Sequence, residues 1–206
     1  RELILRHPDI RQFTTVWMDS LRGGESMLVN TNKLIRFYDG ATGLKTGSTG
    51  SAGYCLSATA EKNGMELIAV VLKSKTSDER FSDAKSLLNY GFSTWSLVTV
   101  TPDEVLPPVP VTLGVRGTVQ PVLTSENTLL VEKTLANGLT KEVALAESVA
   151  APVYAGDTLG QLTVRDAAGN TVAELPILAG EDVGHVTFVQ MLGRCLARGF
   201  CMGPQS

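Results

Sequence analysis

Along this chain the apolar positions change period several times, and each change marks a structural element. Residues 2 to 6 read as the end of a helix closed by Pro8, Phe13 to Met18 as an extended segment, and Ser26 to Val29 as another. The latter leads into the polar Asn30-Thr31-Asn32. The apolar runs Gly53 to Thr59 and Met65 to Leu72 are joined around Asn63-Gly64, whose readiness for positive φ suits a two-residue hairpin turn. Leu67 to Leu72 is apolar at nearly every position, so the hairpin is expected to be buried on both faces. Thr76 and Glu79 have capping-box spacing, and Phe81, Ala84, Leu87, Leu88 and Phe92 form one helical face behind them, with Gly91 placed to help end the helix. A hairpin followed by an amphipathic helix predicts an α+β layer with the helix on one sheet face.

At Thr101-Pro102 the pattern shifts. Pro107, Pro108 and Pro110 mark a linker. Short β-branched segments follow, at Leu129 to Thr134, Glu142 to Ala146, Thr158 to Arg165 and Thr171 to Leu178, the last two joined by the five-residue loop Asp166 to Asn170. Short strands at even spacing predict a small all-β sandwich. From His185 to Cys201 the period turns helical, with Phe188, Val189, Leu192, Cys195, Leu196 and Phe200 on one arc and Gln190, Arg194 and Arg198 opposite. The expected organisation is residues 1–103, 104–183 and a tail at 184–206.

Composition narrows the function classes. A chain that is 43% hydrophobic and 19% charged is ordinary globular protein, not a disordered one. A net charge of −3 makes nucleic acid an unsuitable partner. The chain opens on Arg1 with no charged-then-apolar leader, and so reads as a piece of a longer protein. As a helix the tail would be about 25 Å long, short of the ~30 Å hydrocarbon core. Its reading is an interfacial anchor with Arg194 and Arg198 at the headgroups, or a helix packed on its own domain. Cys55 lies in a strand-like run as a small hydrophobe, while the spacing of Cys195 and Cys201 fits neither a Cys-x-x-Cys motif nor a zinc site. With only His7 and His185 besides, no metal site is expected.

The segment Asp39 to Gly50 carries the candidate chemistry. It is glycine-rich with Lys45-Thr46, but Leu44 stands where a phosphate loop needs glycine, and a hairpin follows where that loop would open a helix. Lys-Thr-Gly leading into apolar strand residues instead matches a motif of active-site-serine, penicillin-recognising enzymes. Lys45 and Thr46 offer a cation and a hydroxyl donor to a terminal carboxylate. Gly47 has no side chain to keep a peptide from pairing along the strand edge.

The surroundings extend the match. Asp39 through Tyr54, the Asn63-Gly64 hairpin and Arg80 to Phe92 resemble D-alanyl-D-alanine carboxypeptidases of the low-molecular-weight penicillin-binding class, and Asn30-Thr31-Asn32-Lys33-Leu34 resembles that family's Asn-x-Asn-x-Leu. The resemblance implies the C-terminal part of a penicillin-binding/serine β-lactamase-like α+β domain, then a small all-β domain and an amphipathic tail helix. It further implies a serine peptidase of the cell envelope that releases the terminal D-alanine of peptidoglycan stem peptides through an acyl-enzyme, binds β-lactams and uses no metal or organic cofactor. Lys45 and Thr46 would bind the substrate carboxylate, with Lys45 also assisting proton movement; the Ser48 N–H would supply half an oxyanion hole, and Arg80 would help hold the carboxylate unless it is simply a solvated helix arginine. The nucleophile motif Ser-x-x-Lys is expected to be absent in any helix-opening context. Ser-x-Asn occurs only at Ser125, deep in the β half. The chain alone is therefore expected to be inactive, and its exposed apolar faces to favour self-association. A non-catalytic envelope protein keeping the β module for interaction is the alternative.

Overall fold

A computed structural model describes residues 1–193 of the 206. Contacts divide the chain into two compact units: Arg1–Leu97 with Leu130–Thr134, and Val98–Leu129 with the chain from Leu135 onward.

The first unit opens with α1 (Glu2–Arg6) and α2 (Arg11–Thr14), followed by the antiparallel pair β1 (Met18–Leu21) and β2 (Ser26–Val29). The expected strand from Phe13 is thus a helical turn up to Thr14, with strand beginning only at Met18. Phe13, Thr14, Thr15, Val16 and Trp17 are all aromatic or β-branched and favour strand locally, but tertiary hydrogen bonds override them. The Asn30 side-chain amide donates to the carbonyls of Thr14 (3.2 Å) and Val16 (2.9 Å), and Thr14 Oγ1 donates to the Thr42 carbonyl at 2.6 Å.

After α3 (Leu34–Phe37) comes the sheet that positions the site: β3 (Ala41–Thr49), β4 (Gly53–Lys62) and β5 (Met65–Ser74), antiparallel in that order. The turn between β4 and β5 has φ of 52° at Asn63 and 76° at Gly64, as a type I′ hairpin requires. Helix α4 (Ser77–Thr94) begins at a complete capping box, in which the Glu79 N–H donates to Thr76 Oγ1 and the Glu79 carboxylate accepts from the Thr76 N–H. It packs on β4 and β5. Leu34, Leu56, Ala58, Ala60, Ala69, Val71, Phe81, Ala84 and Leu88 make the core between them.

Two expectations change here. The hairpin is buried on one face only: Val71 is 7% exposed, whereas Ile68, Val70 and Leu72 are 39%, 58% and 71% exposed. Among the described residues α4 covers a single side, so continuous apolar sequence does not produce two-sided burial. Gly91 does not end the helix, which runs on to Thr94. A Cβ at Gly91 would stand 2.5 Å from Leu67 Cδ1, so the glycine serves close helix–strand packing.

Next in the chain come β6 (Trp95–Thr99), β7 (Val109–Thr112), β8 (Thr118–Val119), β9 (Pro121–Leu123), β10 (Thr128–Glu132), α5 (Lys133–Ala136), β11 (Thr140–Leu145), β12 (Val149–Ala150), β13 (Thr158–Arg165) and β14 (Thr171–Ala179). Pro110 lies inside β7 rather than in the linker, paired with Thr118. The second unit holds a four-stranded sheet ordered β11-β13-β14-β9 and a three-stranded sheet ordered β12-β7-β8. The β13–β14 hairpin spans the predicted segments, and Asp166 closes its loop by accepting from the N–H groups of Ala168 and Asn170 and from the Asn170 side chain. Residues 188–193 are helical, with Phe188, Val189 and Leu192 exposed. The rest of the predicted tail helix, with Arg194, Cys195, Leu196, Arg198, Phe200 and Cys201, lies outside the described residues.

Candidate functional site

The site is built on β3, an outer strand of its sheet, whose side chains alternate between faces. Thr46 pairs with Leu56 and takes the face that α4 covers; Lys45 pairs with Ser57, itself opposite Val70, and takes the other. Consecutive residues therefore present an ammonium and a hydroxyl from opposite sides of one strand. Lys45 Nζ turns back along the strand to donate to the Thr46 carbonyl. Gly47 and Ser48 follow, both exposed, and a Cβ built at Gly47 meets nothing within 4 Å. Among the described residues no contact demands a glycine there, and the space over Gly47 is open.

Arg80 is placed by the first turn of α4 and is only 7% exposed, which excludes a solvated surface arginine. Its Nη1 donates to the carbonyls of Gly47 and Cys55, both at 3.3 Å, and Nη2 to Ser77 Oγ at 3.3 Å. The guanidinium also lies 5.4 Å from the Tyr54 ring centroid and 4.8 Å from that of Phe81. A buried cation is thus fixed against the strand pair at Gly47 and Cys55, which are register partners. Helical spacing carried the signal for this burial: Arg80, Ala84 and Leu88 recur at four-residue intervals on the apolar face.

One contact had no sequence signal. The Thr31 hydroxyl lies 2.8 Å from the Thr46 hydroxyl. The residues on either side of Thr31 are themselves fixed, since Asn32, 2% exposed, donates to the Gly43 carbonyl at 3.0 Å while its Oδ1 accepts from the Leu34 N–H.

The sequence does contain one serine with lysine three residues on, Ser82-Asp83-Ala84-Lys85. It lies within α4, past the first turn, on the helix that covers the face opposite Lys45, and among the described residues no hydrogen bond joins Ser82 to Lys85. Asn127 of the Ser125-Glu126-Asn127 triplet donates its side-chain amide to the Val100 carbonyl at 3.0 Å, a structural bond within the β-rich unit. Among the described residues no group of three or more His, Cys, Asp or Glu side chains is arranged to hold a metal ion.

Residues 2–76 match the family described as D-alanyl-D-alanine carboxypeptidase, and residues 98–185 match the C-terminal domain of penicillin-binding protein 5. The chain is 33% identical over 198 residues to D-alanyl-D-alanine carboxypeptidase DacF of Bacillus subtilis, a span of 94% of this chain and 51% of that protein. The chain belongs to the D-alanyl-D-alanine carboxypeptidase family. A second member, DacC of Escherichia coli, is 30% identical over 143 residues, 68% of this chain and 36% of that protein. Among solved structures, penicillin binding protein 5 from Haemophilus influenzae aligns with a TM-score of 0.71 at 23% identity, over 89% of this chain and 54% of that one, which shows a shared fold. The chain spans about half the length of DacF and less of DacC, and within the family it corresponds to the C-terminal portion of the catalytic domain followed by the β-rich domain.

Proposed function

We propose that this chain supplies the substrate-recognition wall of a serine-type D-Ala-D-Ala carboxypeptidase, working outside the cytoplasm on peptidoglycan stem peptides. The observation that carries the reading is the placement of Lys45-Thr46-Gly47 on an outer strand with open space above Gly47. A peptide ending in D-Ala-D-Ala would pair along that edge as an added strand. Its carboxylate would meet the Lys45 ammonium and the Thr46 hydroxyl, with Arg80 adding positive charge beneath Gly47. The Ser48 N–H would help stabilise the oxyanion of the tetrahedral intermediate. Lys45 would also assist proton movement as a serine ester forms and D-alanine leaves. β-Lactams would enter as acylating mimics of the same peptide.

The acylated serine is not in these 206 residues under this reading, because Ser82 is built into α4 away from the Lys45 face. The chain alone is then inactive. The exposed face of Ile68, Val70 and Leu72 would favour self-association, and the tail would rest on a membrane surface. A labelled penicillin tests the assignment. It should acylate the gene product when the coding region upstream of Arg1 is included, and leave the 206-residue chain unlabelled. Covalent labelling of the chain by itself would overturn the reading.

A further inference from the structure

We infer that Thr31 is a positioning residue for carboxylate recognition, acting through the Thr46 hydroxyl; the inference rests on the reading of Lys45-Thr46 as a carboxylate site. A threonine hydroxyl has one proton and two lone pairs, whereas a carboxylate is acceptor-only. Thr46 can serve a bound carboxylate only by donating its proton to it. Its partner 2.8 Å away, Thr31 Oγ1, must then donate to Thr46 rather than accept from it. In that arrangement the Thr31 proton fixes the Thr46 rotamer and leaves the Thr46 proton pointing at the ligand. Each hydrogen bond in such a chain polarises the next.

The local structure is built to hold Thr31 in place. Asn30 Oδ1 accepts from the Asn32 N–H at 2.9 Å, closing a turn around Thr31. The Asn30 side-chain amide is tied to the carbonyls of Thr14 and Val16, and the Asn32 amide to the carbonyl of Gly43 on β3 itself. The two asparagines thus clamp the residue between them to the strand that carries Thr46. In this chain the product of the asparagine pair is the position of the middle hydroxyl.

The test is an NMR titration of the 206-residue chain with N-acetyl-D-alanyl-D-alanine as the free acid and as its C-terminal amide. The wild-type chain should prefer the acid. Thr31→Val should reduce that preference roughly five-fold, the size of one net hydrogen bond, without changing amide binding. Thr31→Ser should restore it, and Thr31→Val with Thr46→Val should lose no more than Thr46→Val alone. If Thr46→Val abolishes the preference and Thr31→Val keeps it, the inference about Thr31 fails while the carboxylate site stands. Additive losses would make Thr31 a direct ligand and likewise overturn its positioning role. If the wild-type chain does not distinguish acid from amide, the carboxylate reading itself falls, and this inference with it.

Discussion

Arg80 Nη1 donates to the Gly47 carbonyl at 3.3 Å, so a buried guanidinium on α4 holds the strand at the glycine of the Lys-Thr-Gly motif. The same nitrogen holds Cys55 on the neighbouring strand, and three ties therefore depend on one side chain. Arg80→Met should destabilise the chain by on the order of 2–4 kcal/mol, because three part-buried hydrogen bonds from a charged donor are lost together. Arg80→Lys should recover less than half of this, because an ammonium lacks the planar fork that reaches several acceptors. Urea denaturation gives both numbers, and equal stability of wild type and Arg80→Met would show that the ties are replaced by water.

Gly47→Ala separates folding from recognition. A methyl group at this position meets nothing within 4 Å, so stability should stay within about 0.5 kcal/mol of wild type. Binding of a D-Ala-D-Ala peptide should weaken, since the methyl occupies the space the ligand backbone needs. Thermal denaturation beside an NMR titration measures the two effects, and unchanged affinity would contradict strand addition at this edge.

Val70 and Val71 are chemically identical neighbours on opposite faces of β5. Val71→Ala should cost about 2 kcal/mol, from lost transfer free energy and an incompletely collapsed cavity. Val70→Ala should cost under about 0.5 kcal/mol. Equal costs in denaturant titrations would mean that the Val70 face is covered in solution.

Thr76→Ala removes the acceptor for the Glu79 N–H and breaks the capping box, with an expected loss of about 1 kcal/mol. Hydrogen exchange should rise first in the opening turn of α4, next to Arg80. Uniform loosening of the whole helix would contradict a local cap.

Asp166 carries the clearest acid signature. Hydrogen bonds from the Asn170 side chain and backbone, with smaller ones from Ala168 and Gly169, hold its carboxyl below the ordinary aspartate value. Because the folded pKa is the lower one, the contribution is present above the unfolded value and is lost as pH falls through the folded one. Carbon-detected titration should show the depressed midpoint, and Asn170→Ala should return it toward the ordinary value. A midpoint indifferent to Asn170 would refute this cause.

The legible parts of the fold were those fixed by near neighbours. Asn63-Gly64 and the Thr76–Glu79 box each specify a backbone conformation within four residues, and the structure has both. Phe13 to Met18 misled because the carbonyls of Thr14 and Val16 are satisfied by Asn30, more than a dozen residues away. The apolar run in β5 could not report that one of its faces has no covering layer among the described residues. Lys45, Thr46 and Gly47 could be read as a motif whose neighbours alternate in face, but which of Lys45 and Thr46 takes the face under α4 needed the register with β4. Thr31 was invisible, since its significance is a hydroxyl–hydroxyl distance across a fold.

On the proposed reading of Lys45, its bond from Nζ to the Thr46 carbonyl would give carboxylate capture the character of an exchange. The cation already has an acceptor on its own strand before any carboxylate arrives, so an incoming anion competes with an intramolecular partner that is always at hand. Net affinity is then the difference between two acceptors for one ammonium. A neutral ligand end would leave that contact intact, whereas a charged carboxylate would compete with it for the ammonium.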